Sequence, residues 1–569
     1  MKEHLRNLIH KAKGELQSEL VLKNANIINV FTGEIIHSNV AIDNGIIVGI
    51  GDYSGIVEID LDGAYLSPGF VDSHVHIESS MSSPSQFAKV IVPKGITSII
   101  ADPHEIANVK GLEGIKYIID ESKKTPLDVY IALPSCVPAT NFENSGAILL
   151  AEDLETLLNE ETVISLGEMM DYPGVINADD KILDKLVLAK DMIIDGHGPM
   201  IEGKELNAYV VAGVKTEHES STIEEAEERL RLGMYILLRE GSAARDLGNL
   251  ISLVNKDNLR RFLFCTDDKH PEDLIREGSI DHNIRLAIEK GLDPIDAIRI
   301  ATLNACECYG LKKKGAIAPG YKADLVVIDN LEEINIKMVF KDGILVGQNN
   351  KPLFDSKPYI PEYMKNSVKI GDIKVKDLDL HINGEKANVI GIIPDSLVTD
   401  KLVLNIDSED NIFKYADNDI LKLVVVERHK GTGNIGIGLI KGFNLRHGAI
   451  GSTIAHDSHN ILVVGDNDRD ILLAIKELED IGGGITLVNE GVVLKSLPLE
   501  IGGIMTGGDI DETNNTLKEM IDISYNVLLV NPKIDPFMTL AFMALPVIPK
   551  LKLTDVGLFD VEEFKFIQI

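Results

Sequence analysis

Six side chains of the kinds that bind divalent cations lie at the ends of five apolar runs. They are His74, His76, Glu168, His197, His218 and Asp267. Imidazole and carboxylate donors together suit a borderline-hard divalent cation, and this number of donors can hold one or two ions. His74 and His76 are two residues apart, so strand periodicity turns both side chains to the same side. Glu168 is the predicted bridge, because a carboxylate can offer one oxygen to each ion.

Eight short apolar runs would have to position these ligands. They start near residues 70, 96, 127, 162, 192, 213, 234 and 261. Helical patterns lie between several of them, and apolar runs without alternation are typical of a sheet that is buried on both faces. Eight such units predict an α/β fold with a (β/α)8 TIM-type barrel, in which the carboxyl ends of the strands form the active-site mouth.

The sequence on either side of the barrel predicts two further domains. Residues 1–66, an N-terminal helix followed by short β-type runs, are expected to form the first half of a discontinuous β-sandwich domain. Residues 67–314 form the predicted barrel, and 315–350 supply the second half of the sandwich. After a linker rich in Lys and Pro, residues 366–569 are predicted to form a separate C-terminal α/β domain.

The composition excludes several classes of function. The chain has 89 acidic and 56 basic residues, a formal net charge of −33, which repels phosphate backbones and anionic lipid. We therefore expect neither a nucleic-acid partner nor a membrane partner. There is no apolar run long enough to span a bilayer, and no signal-peptide core. The four cysteines form no C-x-x-C pair, which favours a reduced, cytoplasmic protein.

Several motifs resemble a known family. The run PGFVDSHVHIE resembles the first-strand signature of the amidohydrolase superfamily. The runs HVHIESSM, ADPHEIANV, GEMM, DGHGP, TEHES and CTDDKHP resemble the bacterial and archaeal adenine deaminases, and RHGAIGSTIAHDSHNILVVG resembles the C-terminal domain of that family. Glu168 stands where many members of the superfamily use a carboxylated lysine. This difference is the pattern expected of adenine deaminases, and it argues against a hydantoinase or a dihydroorotase.

The resemblance implies a reaction, a cofactor and a small-molecule partner. The reaction is the hydrolytic deamination of adenine to hypoxanthine and ammonia, in purine salvage. The implied cofactor is Mn²⁺, with Fe²⁺ or Zn²⁺ as alternatives, and a metal-bound hydroxide is expected to attack purine C6. Exposed β units and the acidic surface are compatible with a homodimer.

Four residues are expected to move protons in this reaction. Asp267 would bind the metal and take the proton from the attacking water. Glu105 and His104, just after the second strand, are alternative donors of a proton to purine N1. Asp268 would hydrogen-bond the purine or carry a proton. Helix capping is the alternative role for Glu105, and a contact with His270 is the alternative for Asp268.

Three further residues are predicted to bind the substrate at the barrel mouth. Arg239 and Glu240 end the seventh strand, where an internal salt bridge is the alternative role. His456 belongs to an H-D-x-H run that could approach the mouth, hold a second metal or form a polar turn. Two other functions remain open: an amidohydrolase acting on another nitrogenous ring, and a non-catalytic purine-binding protein of the same fold.

Overall fold

The N-terminal segment is a helix followed by strands. In the computed structural model, which describes residues 2–394, 396–416 and 418–569, helix α1 spans Lys2–Ala12. The strands that follow are β1 (Ser18–Asn29), β2 (Glu34–Asp43), β3 (Ile46–Ile50), β4 (Gly55–Asp60) and β5 (Tyr65–Pro68). β1 pairs antiparallel with β2 and parallel with β4 and β5.

The barrel is built from short parallel strands. They are β6 (Phe70–His76), β7 (Ile96–Ala101), β8 (Asp128–Leu133), β9 (Val163–Met169), β10 (Ile193–Gly196), β11 (Thr216–Glu217), β12 (Tyr235–Arg239), β13 (Phe262–Cys265) and β14 (Asp267–Asp268). β6 to β10 pair in sequence order, as do β11 to β13. A bridge between Ile194 and Val214 joins the two sets, and β14 pairs with β6. The strands therefore form a closed ring, and the predicted barrel is confirmed.

Helices connect the strands of the barrel and follow its last strand. The connecting helices are α2 (Pro84–Ile91), α3 (His104–Lys110), α4 (Leu112–Ser122), α5 (Ala151–Glu155), α6 (Tyr172–Ile176), α7 (Asp180–Leu188), α8 (Gly203–Val211), α9 (Ile223–Arg231) and α10 (Leu247–Leu250), and those that follow the last strand are α11 (Pro271–Arg276), α12 (Ile280–Glu289), α13 (Pro294–Arg299) and α14 (Ala305–Cys308). Thr222 and Glu225 cap the start of α9 reciprocally, which fixes a helix in the short segment between β11 and β12. Within the described ranges, no helix is both long and apolar enough to cross a membrane.

Polar residues interrupt the first barrel strand, although the whole strand is buried. Every residue of β6 is buried, including Asp72, His74 and His76. Burying such groups is costly unless they find partners. β7, by contrast, is a fully buried run whose side chains are mostly apolar. The contrast marks the carboxyl end of β6 as a place where polar side chains are held for a purpose other than packing.

After the barrel, the chain returns to the sheet of the N-terminal segment. The returning strands are β15 (Leu325–Ile328), β16 (Ile336–Lys341), β17 (Ile344–Gln348) and β18 (Lys351–Pro352). β15 pairs antiparallel with β5, so both ends of this part of the chain share one nine-stranded sheet. That sheet frames the barrel at the points where the chain enters and leaves it.

The C-terminal segment has an eight-stranded sheet of its own. Its strands are β19 (Lys386–Ile392), β20 (Thr399–Asn405), β21 (Ser408–Glu409), β22 (Ile412–Phe413), β23 (Ile420–Val426), β24 (Ile435–Lys441), β25 (Gly448–Ser452), β26 (Ile461–Gly465), β27 (Gly484–Asn489), β28 (Val492–Pro498), β29 (Leu551–Thr554), β30 (Gly557–Asp560) and β31 (Lys565–Phe566), of which β21–β22 and β29–β31 form two small sheets apart. Its helices are α15 (Asp468–Asp480), α16 (Ile510–Asn526) and α17 (Pro536–Ala541). The connection between β25 and β26 carries the H-D-x-H run and lies against the barrel mouth.

Candidate functional site

The predicted metal ligands lie together at one end of the barrel. His76 is central to the first group: its Nε2 lies 3.1 Å from His74 Nε2, 3.3 Å from Glu168 Oε1 and 3.0 Å from Asp267 Oδ1. These four side chains are almost fully buried. Strands β6, β9 and β14 therefore bring together two imidazoles and two carboxylates that are up to 193 residues apart in the sequence.

Glu168 lies between two groups of histidines. Its Oε1 faces His76, whereas its Oε2 lies 2.5 Å from His197 Nδ1 and 3.3 Å from His218 Nε2. Each carboxylate oxygen thus has its own set of neighbours. This arrangement is what a bridging carboxylate requires.

Asp267 has an unusual backbone conformation. Its φ is +58°, in the left-handed region that non-glycine residues adopt at a cost of about 1 kcal/mol or more. The surrounding contacts hold it there: Oδ1 faces His74 and His76, and Oδ2 accepts a hydrogen bond from Arg239 Nη1 at 3.0 Å. The strained residue therefore has both carboxylate oxygens directed to specific partners.

The site concentrates negative charge. Burial alone would raise the pKa of Glu168, but its contacts with His197, His218 and His76 hold that pKa well below its usual value. Burial would also raise the pKa of Asp267. Its contacts with His74, His76 and Arg239 outweigh the effect of burial and hold that pKa well below its usual value. Both carboxylates are therefore ionised where the imidazoles converge, so each can serve as an anionic ligand.

The donor atoms fit a divalent cation. Those of His74, His76 and Glu168 lie within 4.8 Å of one another, and so do those of Glu168, His197 and His218. Both ring nitrogens of His218 are buried without a hydrogen-bond partner among the described residues. A cation beside His218 Nε2 would satisfy an atom that is otherwise costly to bury. The position of this donor set at the carboxyl ends of the barrel strands indicates a divalent metal centre.

Asp195 supports His74 from behind and lies near a second histidine. Its Oδ2 is 2.7 Å from His74 Nδ1, within hydrogen-bonding distance, and 3.7 Å from His218 Nδ1, beyond that distance. A partner at Nδ1 fixes the ring and leaves Nε2 free for a cation. Asp102 acts similarly on the other side, because its carbonyl oxygen lies 2.9 Å from His76 Nδ1.

Replacing Asp195 by asparagine is expected to weaken metal binding by about 10–100-fold, because the amide no longer stabilises the ring orientation with a charge. The affinity is measured by titrating the metal-free protein with Mn²⁺. Asp171→Asn is a matched control, since Asp171 is an N-cap of α6 and does not contact these histidines. An unchanged affinity in Asp195→Asn would contradict the supporting role.

A second cluster joins the barrel to the C-terminal segment. The two oxygens of Glu105 contact His456 Nδ1 and His459 Nε2, one each. Burial would raise the pKa of Glu105, but these histidines and His104 hold it well below its usual value. His104 Nε2 lies 3.5 Å from Glu105, and its Nδ1 lies 3.3 Å from Glu168 Oε1. His104 therefore lies between the two clusters.

A small cavity lies beside the second cluster. It measures about 20 Å³, which is room for a single water molecule. Its walls are Glu78, Ser79, Met81, Glu105, His270, Ile454, His456, His459 and Ile504. Asp268 borders this region from the metal side, because its Oδ1 accepts a hydrogen bond from Ser79 Oγ.

Arg239 and Glu240 make internal salt bridges. Arg239 contacts Glu219 and Asp267, and its Nη2 lies 3.0 Å from Asp246 Oδ2. Glu240 Oε1 lies 3.5 Å from Arg245 Nη1. These contacts agree with the alternative role for both residues, an internal salt bridge. A direct contact of either residue with substrate stays a prediction.

Sequence reasoning missed several residues around the site. Asp195 precedes His197 by two positions, so strand alternation alone could have placed both on one side of β10. Glu219 directly follows His218, and its Oε1 lies 3.6 Å from His218 Nε2. Asp102, at the start of the DPHE run, accepts a hydrogen bond from the backbone N–H of Glu168 at 2.9 Å. No signal in the sequence paired His459 with Glu105.

Comparison with known proteins gives consistent matches over the chain. The model of the amidohydrolase family matches residues 65–346, and that of the adenine deaminase C-terminal domain matches 396–565. An adenine deaminase of Clostridium acetobutylicum is 50% identical over 564 residues, covering 98% of this chain and 99% of that protein. One of Geobacillus kaustophilus is 50% identical over 576 residues and covers 100% of both. Adenine deaminase 2 of Carboxydothermus hydrogenoformans is 48% identical over 566 residues, with 99% of each covered.

Proposed function

Because the chain belongs to the adenine deaminase family, we propose that it converts adenine and water into hypoxanthine and ammonia. The observation that carries this proposal is the convergence of four histidines and two carboxylates at the barrel mouth, beside a cavity whose walls include Glu105 and His456. The barrel end thus combines a cation site with polar groups that can handle protons on a heterocyclic ring.

The cation in this proposal is Mn²⁺, with Fe²⁺ or Zn²⁺ as alternatives, and one or two ions per chain. His74, His76, Glu168, His197, His218 and Asp267 would hold it, with Glu168 shared between two positions. When bound, a divalent cation supplies Lewis acidity and makes water nucleophilic at neutral pH. Oxygen and nitrogen donors together suit Mn²⁺ and Fe²⁺ as well as Zn²⁺.

Side chains of the protein carry out the proton transfers of the reaction. As water adds to C6, Asp267 accepts a proton from it, and N1 of the ring gains a proton. We propose that His104, which lies between Glu168 and Glu105, donates this proton to N1. Glu105, held ionised by His456 and His459, orients His104 instead of donating a proton itself. Asp268 takes up the remaining proton of the C6 hydroxyl group and passes it to the amine, the C6–N bond breaks, and ammonia leaves. The proton held by Asp267 then returns to His104, which restores both side chains.

The cavity must widen before a purine can enter. At about 20 Å³ it holds one water molecule, so a planar bicyclic ring requires one wall to move outward. The wall from the C-terminal segment, which includes Ile454 and His456, is a connection between two strands, whereas the opposite wall belongs to the barrel. Movement of this connection would admit the substrate and, on return, exclude water from the reaction.

The compartment and assembly in this proposal are a cytoplasmic homodimer. Four free, buried cysteines suit a reducing compartment. Ile56 and Val57 on β4 are 73% and 53% exposed, and such apolar side chains are suited to contact with a second copy.

The activity is tested by ammonia release from adenine, adenosine, guanine and cytosine, with added Mn²⁺ and with a chelator. We expect turnover of adenine alone, and its loss when the metal is removed. Turnover of adenosine without adenine would contradict the proposal. Absence of turnover in fully metal-loaded protein would favour a non-catalytic purine-binding protein.

A further inference from the structure

Glu78 is a buried carboxylate that the reaction described above does not use. It lies in the tight turn Ile77–Ser80 that directly follows β6, and it is 4% exposed. Its Oε1 accepts a hydrogen bond from the backbone N–H of Ile106 at 3.1 Å. Its Oε2 is buried and has no hydrogen-bond partner among the described residues. One half of this carboxylate is therefore fixed, while the other half lacks a donor.

The unpartnered oxygen belongs to a residue of the cavity wall. Glu78 lines the cavity together with Glu105 and His456. Burying an acceptor without a donor is costly, so such a group commonly marks the position of a ligand atom. The backbone bond to Ile106 holds the side chain in place, which prepares Oε2 to accept from a molecule in the cavity.

Free adenine carries a donor that a nucleoside does not have. Its imidazole ring has one N–H, and in a nucleoside that ring nitrogen is bonded to the sugar. If the cavity widens and C6 faces the metal ligands, the six-membered ring would lie toward His104 and Asp268. The imidazole ring would then lie beside the cavity wall that includes Glu78.

We propose that Glu78 Oε2 accepts a hydrogen bond from the imidazole N–H of adenine, and so selects the free base over its nucleoside. This inference rests on the proposed deamination of adenine. A site built around a hydrogen bond to a substrate N–H rejects analogues that lack it, because the buried protein group is then left unpaired. Glu78 is thus assigned as a specificity-determining residue.

The test compares adenine with 9-methyladenine, which cannot donate from position 9, in wild type and Glu78→Ala. We expect the wild type to have a kcat/KM at least about 100-fold lower for 9-methyladenine than for adenine. In Glu78→Ala, kcat/KM for adenine should fall about 10–100-fold, whereas that for 9-methyladenine should change less than about 3-fold. The ratio between the two substrates should therefore fall by at least about 3-fold.

Glu143→Ala is the matched control. Glu143 is also buried, and its Oε1 has no hydrogen-bond partner within the described ranges, but it is not part of the cavity wall described above. This variant should change kcat/KM for both substrates by the same factor. Metal content is measured in every variant, so that loss of the cation is recognised.

The outcomes separate the two proposals. If the metal-loaded wild type does not deaminate adenine, the proposed function fails. If it does, but Glu78→Ala keeps the wild-type ratio between the two substrates, the assignment of Glu78 fails while the proposed function stands. A binding measurement with hypoxanthine, whose imidazole ring also has an N–H, should show the same loss of affinity in Glu78→Ala.

Discussion

Replacing Glu168 by glutamine is expected to remove most of the bound divalent metal and to lower adenine deamination by at least about 1000-fold. Both oxygens of Glu168 face histidines, three of which are predicted ligands: His76, His197 and His218. An amide of the same shape offers one neutral oxygen and one N–H₂ group. It carries no negative charge to offset that of a dication, and it has one oxygen where a bridging carboxylate needs two.

The measurement is elemental analysis after dialysis, followed by the ammonia assay. Glu217→Gln is the matched control, because Glu217 is equally buried and near in the fold, but its oxygens accept from backbone N–H groups of Gly198 and Glu219. This control should keep its metal. A Glu168→Gln protein that is fully loaded and active would contradict the bridging role.

Replacing Asp268 by asparagine should leave the metal in place but lower kcat about 10²–10⁴-fold, which is the usual contribution of a positioned acid or base. The amide oxygen can still accept from Ser79 Oγ, so the local structure is preserved. What the amide cannot do is take up and release a proton during departure of the amine. The expected result is therefore a loss in kcat, with KM close to that of the wild type.

The measurement is steady-state kinetics on samples of known metal content. Asp246→Asn serves as the comparison, because Asp246 lies behind the site and pairs with Arg239 away from the proton path. Its rate should stay within about 10-fold of wild type. A wild-type rate in Asp268→Asn would remove Asp268 from the mechanism, and loss of metal would make it a ligand instead.

The barrel was predictable because its strands are buried on both faces and most of them therefore appear as largely apolar runs, although polar residues interrupt β6. The first predicted run starts at the residue where β6 begins, and the fourth starts within one residue of β9. The sixth strand was the least accurate, with a start predicted near 213. Its ladder is only the two residues Thr216 and Glu217, preceded by the bridge at Val214. A strand of two residues is too short to give a recognisable hydrophobic pattern in the sequence.

The convergence of the six predicted ligands could be expected from the sequence, because each follows or ends such a run and the fold brings strand ends together. The second cluster was not predictable in the same way. Glu105 and His456 are separated by 351 positions, and no strand register links the connection after β25 to helix α3. Only the tertiary arrangement of the C-terminal segment pairs them. The domain limits at 67, 314 and 366 stay predictions, as does the identity of the metal.

The most direct test is a crystal structure of the Mn²⁺-loaded protein with hypoxanthine, recorded with anomalous scattering at the manganese edge. We expect anomalous density in contact with His74, His76, Glu168, His197, His218 and Asp267, and we expect C6 of the purine to face this density. Density at Glu105, His456 and His459 alone, or a purine bound far from the six side chains, would show that the metal site is wrongly assigned.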